Sequence, residues 1–545
     1  MGRVPFKPVL LVAALAFGAA QAHDASPAQP LAQAEAHFLD FLDADSAVDI
    51  INSGLVAEYG GRDRAAWEAE RRAQYDRLTA ALKTLDESAL SPADTAALAA
   101  MRTTLADHAD PSAATANDPA APRRADASRT DLDYARMRAA LVGCFRELGN
   151  NLAFEGRVID RGTALQLLHQ IEEPERRMLL FDAFNPLWDA LNAGNTADSP
   201  WRRMIRMAAE EAAKEGSQID AAAKALGMST PQVEEWLVQI LEAWRDANPK
   251  RMVEPWDYRY RIGKANRALA EALTADRLLP INKRFYADLG ADLDGLNVLF
   301  DLAERKDKSP LAYSDFLARG RATDAGWQRP RARIVGRYPL GGLFSINELV
   351  HENGHAVHVS AIRNRPAFMD WPDTIFTEAF ADVPSWSVYE KTWQQKYLGT
   401  ATSQKESLRL LHGLTALDVA WSLFELRMLR DPAQDPNQLW TDITREYLRI
   451  LPHPEIPWWA MRVQLASRPG YMVNYGLGAV LTAEIRHKTA EAIGPFDAGN
   501  GGWYGWLSER LLKHGSERDT RSLMQDLLGR PLSPAAVLAE IRRIR

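Results

Sequence analysis

The sequence predicts a mainly α-helical protein with one small sheet, and three observations predict it. Most of the chain is rich in Ala, Leu, Glu and Arg with apolar residues three and four apart, as in Trp67–Tyr75 and Leu408–Leu426, the spacing that lines one face of a helix. The best strand candidate is the run Arg331–Leu340, Arg-Ala-Arg-Ile-Val-Gly-Arg-Tyr-Pro-Leu, with β-branched residues and partial alternation. Directly after it comes His351-Glu-Asn-Gly-His355, a His-Glu-x-x-His pattern that carries its chemistry on a helix.

From the N-terminus, Met-Gly-Arg-Val-Pro-Phe-Lys precedes an apolar run from Pro8 to Ala20 and then Ala20-Gln21-Ala22, the three-part pattern of a cleavable secretory signal. Cleavage after Ala22 predicts a periplasmic or secreted mature chain. The run is too short to span a bilayer, and no later run reaches about eighteen uninterrupted apolar residues, so stable membrane insertion is not expected. Residues 23–31 and about 105–130 are dominated by Ala, Pro, Asp, Ser and Thr and read as flexible or extended. The second stretch divides an N-terminal helical region, 23–130, which it ends as an Ala/Pro-rich linker, from a catalytic region, 131–545, unless the two form one continuous bilobed domain. No internal repeat is visible.

The chain carries a formal charge of −7, and losing residues 1–22 removes Arg3 and Lys7 and no acid, making it two charges more negative. A mildly acidic, patternless surface argues against a nucleic-acid partner. Cys144 is the only cysteine, so no intrachain disulfide can form and stability must come from packing. Its neighbours Leu141, Val142, Gly143 and Phe145 read as helix interior, which predicts a buried, inert thiol.

For the metal motif, Ser345-Ile-Asn-Glu348 has the form of a capping box and predicts a helix from about Ile346. His351 and His355 then share one helical face, where two imidazoles can converge on an ion at about 2.0–2.1 Å. Glu352, rotated by about 100°, approaches a water on that ion. Such a catalytic site needs a third protein ligand and an open fourth position. The segment Asp373-Thr-Ile-Phe-Thr-Glu378-Ala-Phe-Ala-Asp382 reads as a helix capped by Asp373 and ended or kinked at Pro384. Glu378 is the expected third ligand. Asp382, one turn on, is the expected acceptor for the remote ring nitrogen of His351. The alternative, a solvated acidic face, sits poorly with Ile375, Phe376, Ala379, Phe380, Ala381 and Val383 around it. A third histidine six residues past His355 is excluded by Ala361, and His358 reads as a packed histidine.

These residues resemble the zinc peptidases with a glutamate third ligand, in particular the superfamily of angiotensin-converting enzyme and thimet oligopeptidase. His351-Glu-Asn-Gly-His-Ala-Val-His358 is similar to the oligopeptidase form of the motif, and Phe376-Thr-Glu-Ala-Phe-Ala-Asp-Val383 to the converting-enzyme segment. Twenty-two residues, 356–377, separate His355 from Glu378, close to that superfamily's spacing. Pro469-Gly-Tyr471-Met-Val-Asn-Tyr475-Gly-Leu-Gly resembles its tyrosine-bearing segment, and Glu254-Pro-Trp-Asp-Tyr258 and the C-terminal stretch Leu512–Ile544 add to the likeness. It covers about residues 250–545.

The resemblance implies a mainly helical, bilobed ellipsoid with one zinc ion (Zn2+) at the floor of a deep central channel, to which the strand candidate at 331–340 adds a small edge sheet beside the metal-site helix. The channel would admit short peptides. It also implies that Tyr475 donates a hydrogen bond to the oxyanion and that Tyr471 assists or contacts the substrate. Two departures stand out: Leu465 and Ala466 occupy the place of a substrate-binding histidine, the nearest upstream histidine being His453, and Asn474 stands where converting enzyme has an arginine. The expected activity is hydrolysis of short peptides, with Glu352 as general base and two imidazoles and a carboxylate favouring zinc. Two alternatives stay open. One is a peptidyl-dipeptidase reading a free C-terminus through Arg462, Arg468 or Tyr471; the other is an inactive zinc-binding protein, for which Glu352 would have no use.

Overall fold

The computed structural model describes residues 29–51, 61–108, 124–304, 308 and 312–545. The signal segment 1–22 lies outside them. The first described elements are three helices, α1 (Gln29–Ile51), α2 (Arg64–Lys83) and α3 (Pro92–His108), packed on a hydrophobic cluster around Phe38, Phe41, Leu42, Leu78, Leu98 and Met101 to which Ala367 and Phe368 also belong. Asp63 caps α2, accepting from the Ala66 N–H at 2.9 Å, which satisfies one of the orphan donors of its first turn. This layer docks on the rest through Arg365, whose guanidinium donates twice to Glu35 at 2.7 and 3.0 Å, and through Asp43, which accepts from the Arg319 N–H at 2.9 Å.

The expected extended stretches are shorter than their composition suggests. Residues 29–31 open α1 and 105–108 close α3, while Arg124–Asp126 form a 3-10 turn; residues 23–28 and 109–123 lie outside the described part of the chain. Pro30 is tolerated because the first turn of a helix needs no N–H from it, and burial of Leu31, Ala34 and Leu105 recruits the flanking residues into the helices.

Beside the site lies a three-stranded sheet of β1 (Leu299–Asp301), β2 (Tyr313–Ala318) and β3 (Arg331–Val335). The strand expected within Arg331–Leu340 is therefore present, but it is central. It pairs in parallel with β1, Leu299 opposite Arg333, and antiparallel with β2, Tyr313 opposite Val335. The two edges are β1 and β2. Every residue of β3 after Arg331 is buried, Ala332, Ile334 and Val335 as apolar side chains and Arg333 paired with Asp301 of β1 at 2.7 Å, which explains its place in the middle.

Helix α4 (Gly342–Ala361) follows and starts one turn before the expected capping box. Gly341 and Gly342 both have positive φ, 62° and 88°, and a β-carbon on Gly341 would stand 2.2 Å from the Leu273 carbonyl oxygen, so the turn admits only glycine. The Gly342 N–H donates to that carbonyl at 2.7 Å and the Phe344 N–H to Asn266 Oδ1 at 3.2 Å. The first-turn donors are thus satisfied from a distant segment. Ser345, instead of capping, sits inside the helix with its hydroxyl 3.5 Å from Gln166 Oε1.

Helix α5 (Thr374–Ser385) does begin at Asp373, whose carboxylate accepts from the Phe376 N–H at 2.9 Å. It gives way to a 3-10 turn, Trp386–Tyr389, just past Pro384. Behind it run the long α6 (Gln404–Arg430), the short α7 (Val473–Gly476) and α8 (Gly478–Ile493). The buried Leu410, Leu417 and Phe424 of α6 recur at seven-residue intervals, each contributing about 1.5–3 kcal/mol by leaving water. Trp201, Trp421, Trp440 and Trp459 fill the space beside them, with the Trp421 indole N–H donating to the Trp459 carbonyl at 2.9 Å. Cys144 is fully buried, and burial pushes its thiol up to about 12. Among the described residues no helix is long and apolar enough to cross a membrane.

Candidate metal centre

Helices α4 and α5 cross at Gly354. A β-carbon there would lie 2.6 Å from Ala381 Cα and 2.8 Å from its carbonyl oxygen, so backbone rests on backbone at a distance that no other residue allows. This approach brings Glu378 to the two histidines. His351 Nε2 is 3.2 Å from His355 Nε2 and 3.4 Å from Glu378 Oε2, and His355 Nε2 is 3.9 Å from the same oxygen. Ligands at about 2.0–2.1 Å around a tetrahedral ion stand about 3.3 Å apart. The donor set and its spacing fit a metal ion, and it is the one such cluster among the described residues.

The surroundings orient each donor. Asp382 Oδ1 lies 2.8 Å from His351 Nδ1 and accepts a second hydrogen bond from Ser385 Oγ at 3.0 Å. A carboxylate only accepts, so Nδ1 carries the proton and Nε2 keeps its lone pair toward His355 and Glu378. Tyr471 donates its hydroxyl proton to Glu378 Oε1 at 2.9 Å, leaving Oε2 to face the histidines. His355 packs edge-on against Trp371. His358 is 1% exposed and enclosed by Trp371, Phe376 and Phe380; burial drives it down to about 3, so it is a packed neutral ring.

Glu352 is 6% exposed and its Oε2 has no hydrogen-bond partner among the described residues. Burial, opposed by His351 and reinforced by Glu348 and Glu378, pushes its carboxyl up to about 8. Its main-chain carbonyl accepts from Ser314 Oγ at 2.7 Å, which ties the edge strand β2 to the motif. Tyr475 stands across from it with its ring centroid 5.6 Å from that of Tyr471. Burial first, then Glu378, hold the Tyr475 hydroxyl above the ordinary phenol range, so it stays protonated and able to donate.

His351, Glu352, His355, Glu378, Tyr471 and Tyr475 open onto one cleft of about 770 Å³. Asp382 stands behind His351 rather than on the wall. Sequence reasoning missed Tyr313, Ser314 and Asp315 of β2, together with Trp371 and Gln464; none has a spacing that relates it to the motif. Arg468 is on the wall, whereas Arg462 lies behind Tyr475, its guanidinium 5.7 Å from that ring and paired with Asp418. Leu465 and Ala466 are buried, and His453 is held away from the wall between Glu254 and Glu455 at 2.8 and 2.6 Å. Asn474 donates to the Tyr471 carbonyl at 2.9 Å.

No protein-family model matches the sequence, and no curated protein matches it. Solved structures do. An M32 carboxypeptidase from Deinococcus radiodurans R1 is 16% identical with a TM-score of 0.53 over 94% of this chain and 98% of that one. A carboxypeptidase from Pyrococcus furiosus is 13% identical with a TM-score of 0.51 over 95% and 99%. PZ peptidase A, in a structure with an inhibitor, is 13% identical with a TM-score of 0.55 over 92% and 96%. At these identities the likeness carries the fold. It does not single out the converting-enzyme or thimet-oligopeptidase branch that the motifs resemble.

Proposed function

We propose that this chain is a zinc-dependent peptidase that hydrolyses short peptides in the cleft beside α4. The observation that carries the proposal is the convergence of His351 Nε2, His355 Nε2 and Glu378 Oε2 within 4.8 Å of one another, with the unpartnered carboxylate oxygen of Glu352 on the same cleft wall. Zinc, when bound by these three residues, supplies Lewis acidity that polarises the scissile carbonyl and acidifies water.

The residues of the chain do the rest. Glu352 takes the proton from the attacking water and later delivers it to the leaving amine. Tyr475 donates its hydroxyl hydrogen to the oxygen on which negative charge develops. Asp382 fixes the His351 ring and Tyr471 fixes Glu378, so that neither ligand has to reorganise. Strand β2, at an edge of its sheet, lines the cleft through Tyr313, Ser314 and Asp315, where an extended peptide can run alongside it. Residues 1–22 support action in the periplasm or outside the cell.

The test is to incubate the purified protein with a mixture of short peptides, with and without a zinc chelator, and to read the products by mass spectrometry. Chelator-sensitive cleavage supports the reading; a zinc-loaded protein that cleaves nothing is a binding protein instead. A second reading, removal of residues from a free C-terminus, is favoured by the cationic Arg468 on the wall and by the carboxypeptidases among the structural neighbours. Free and amidated forms of one peptide separate the two, because only C-terminal release loses its substrate on amidation.

A further inference from the structure

We infer that Glu425, a residue outside the cleft, is the positioning residue that sets Tyr471 and Tyr475 against the metal site; the inference rests on the peptidase reading for its effect on turnover. Glu425 lies on α6 and is 1% exposed. Its two carboxyl oxygens accept from the main-chain N–H of Gly470 and of Met472, each at 2.9 Å. Those two amides bracket Tyr471, whose hydroxyl reaches Glu378.

The same clasp reaches Tyr475. The Met472 carbonyl accepts from the Tyr475 and Gly476 N–H groups at 3.1 and 3.0 Å, so fixing Met472 fixes the start of α7, on which Tyr475 sits. Three residues before Glu425, Ser422 Oγ lies 2.6 Å from the Met472 carbonyl oxygen. A β-carbon on Gly476 would stand 2.4 Å from that hydroxyl, so α7 is seated on α6 with no slack. Gly470, at φ 87°, makes the reversal that turns both amides toward one carboxyl group.

Chemistry explains why the residue is a glutamate. Two N–H donors side by side need an acceptor on each side-chain oxygen. A glutamine offers one acceptor and turns an NH2 toward the other amide. Burying a carboxyl group is costly, and among the described residues no cation pairs with this one. What it does hold is the segment that carries both tyrosines.

The test compares Glu425→Ala and Glu425→Gln with Leu410→Ala, a buried position at the far end of the same helix, and combines Glu425→Ala with Tyr475→Phe. Zinc content, kcat, KM and amide hydrogen exchange over residues 468–477 are measured on the full chain. For Glu425→Ala, kcat should fall by up to about 10²- to 10³-fold, the loss that follows removal of one oxyanion donor, with zinc stoichiometry unchanged and exchange accelerated in 468–477 but not in 342–361. The double variant should turn over no more than about twofold slower than Tyr475→Phe alone, since one acts through the other. Glu425→Gln, which keeps the shape and one acceptor, should lie between and covers the case in which the alanine variant does not fold. Leu410→Ala should lower Tm while sparing kcat and local exchange. Multiplicative losses in the double variant, or exchange in 468–477 that matches Leu410→Ala, would overturn the inference. A wild type that cleaves no peptide defeats the peptidase reading, and local exchange then decides the positioning by itself.

Discussion

Gly354 and Ala381 meet where α4 and α5 cross, so close that a β-carbon on the glycine would stand 2.6 Å from Ala381 Cα. His355 is the next residue on one helix and Asp382 the next on the other. The contact therefore sets the distance between the histidine pair and the acidic pair.

Replacing Gly354 with alanine should push the helices apart. Overpacking of a rigid backbone contact costs about 1–3 kcal/mol, and the shift should carry Glu378 away from the histidines. Thermal melting and a zinc titration check this: a variant with wild-type Tm and zinc affinity would show that the contact does not control the site.

Glu352→Gln should keep zinc and lose turnover, because the amide preserves shape while removing the proton acceptor. General-base catalysis contributes about 10²- to 10⁴-fold, and kcat should fall by that order with metal content unchanged. Full hydrolysis by a zinc-loaded variant would remove Glu352 from its role.

Asp382→Ala should weaken zinc binding rather than abolish the chemistry. Loss of the carboxylate that orients a ligating histidine costs about 10- to 100-fold in affinity. At saturating zinc most of the activity should return; a variant that binds zinc as tightly as wild type would break the link between Asp382 and His351.

Stability should fall as pH rises from about 5 to 8, in part through Glu425. Burial, only partly offset by the Gly470 and Met472 amides, pushes its carboxyl up to about 8 from an ordinary 4.5. The folded chain then holds a proton that the unfolded chain releases, so in this window unfolding releases a proton and is favoured by higher pH. The effect is on the order of a few kcal/mol. Urea melts at pH 5 and pH 8 should show a smaller loss for Glu425→Gln than for wild type, and identical slopes would contradict the assignment.

What the sequence by itself determined rests on interactions a few residues apart. The 3.6-residue repeat places Leu410, Leu417 and Phe424 on one face of α6. Four-residue spacing places His351 and His355 side by side, and Asp373 caps its own helix through the amide three residues on. Only the tertiary structure decided where α4 begins, because its first amides are satisfied by Leu273 and Asn266 from a distant segment rather than by the local Ser345. It made β3 the central strand between β1 and β2, since pairing partners are chosen across the sheet. It also joined Tyr471 to Glu378 and Glu425 to Gly470 and Met472. Helical periodicity and capping are local properties of the chain, whereas these pairings depend on how closely packed helices approach, and no spacing along the sequence encodes that distance.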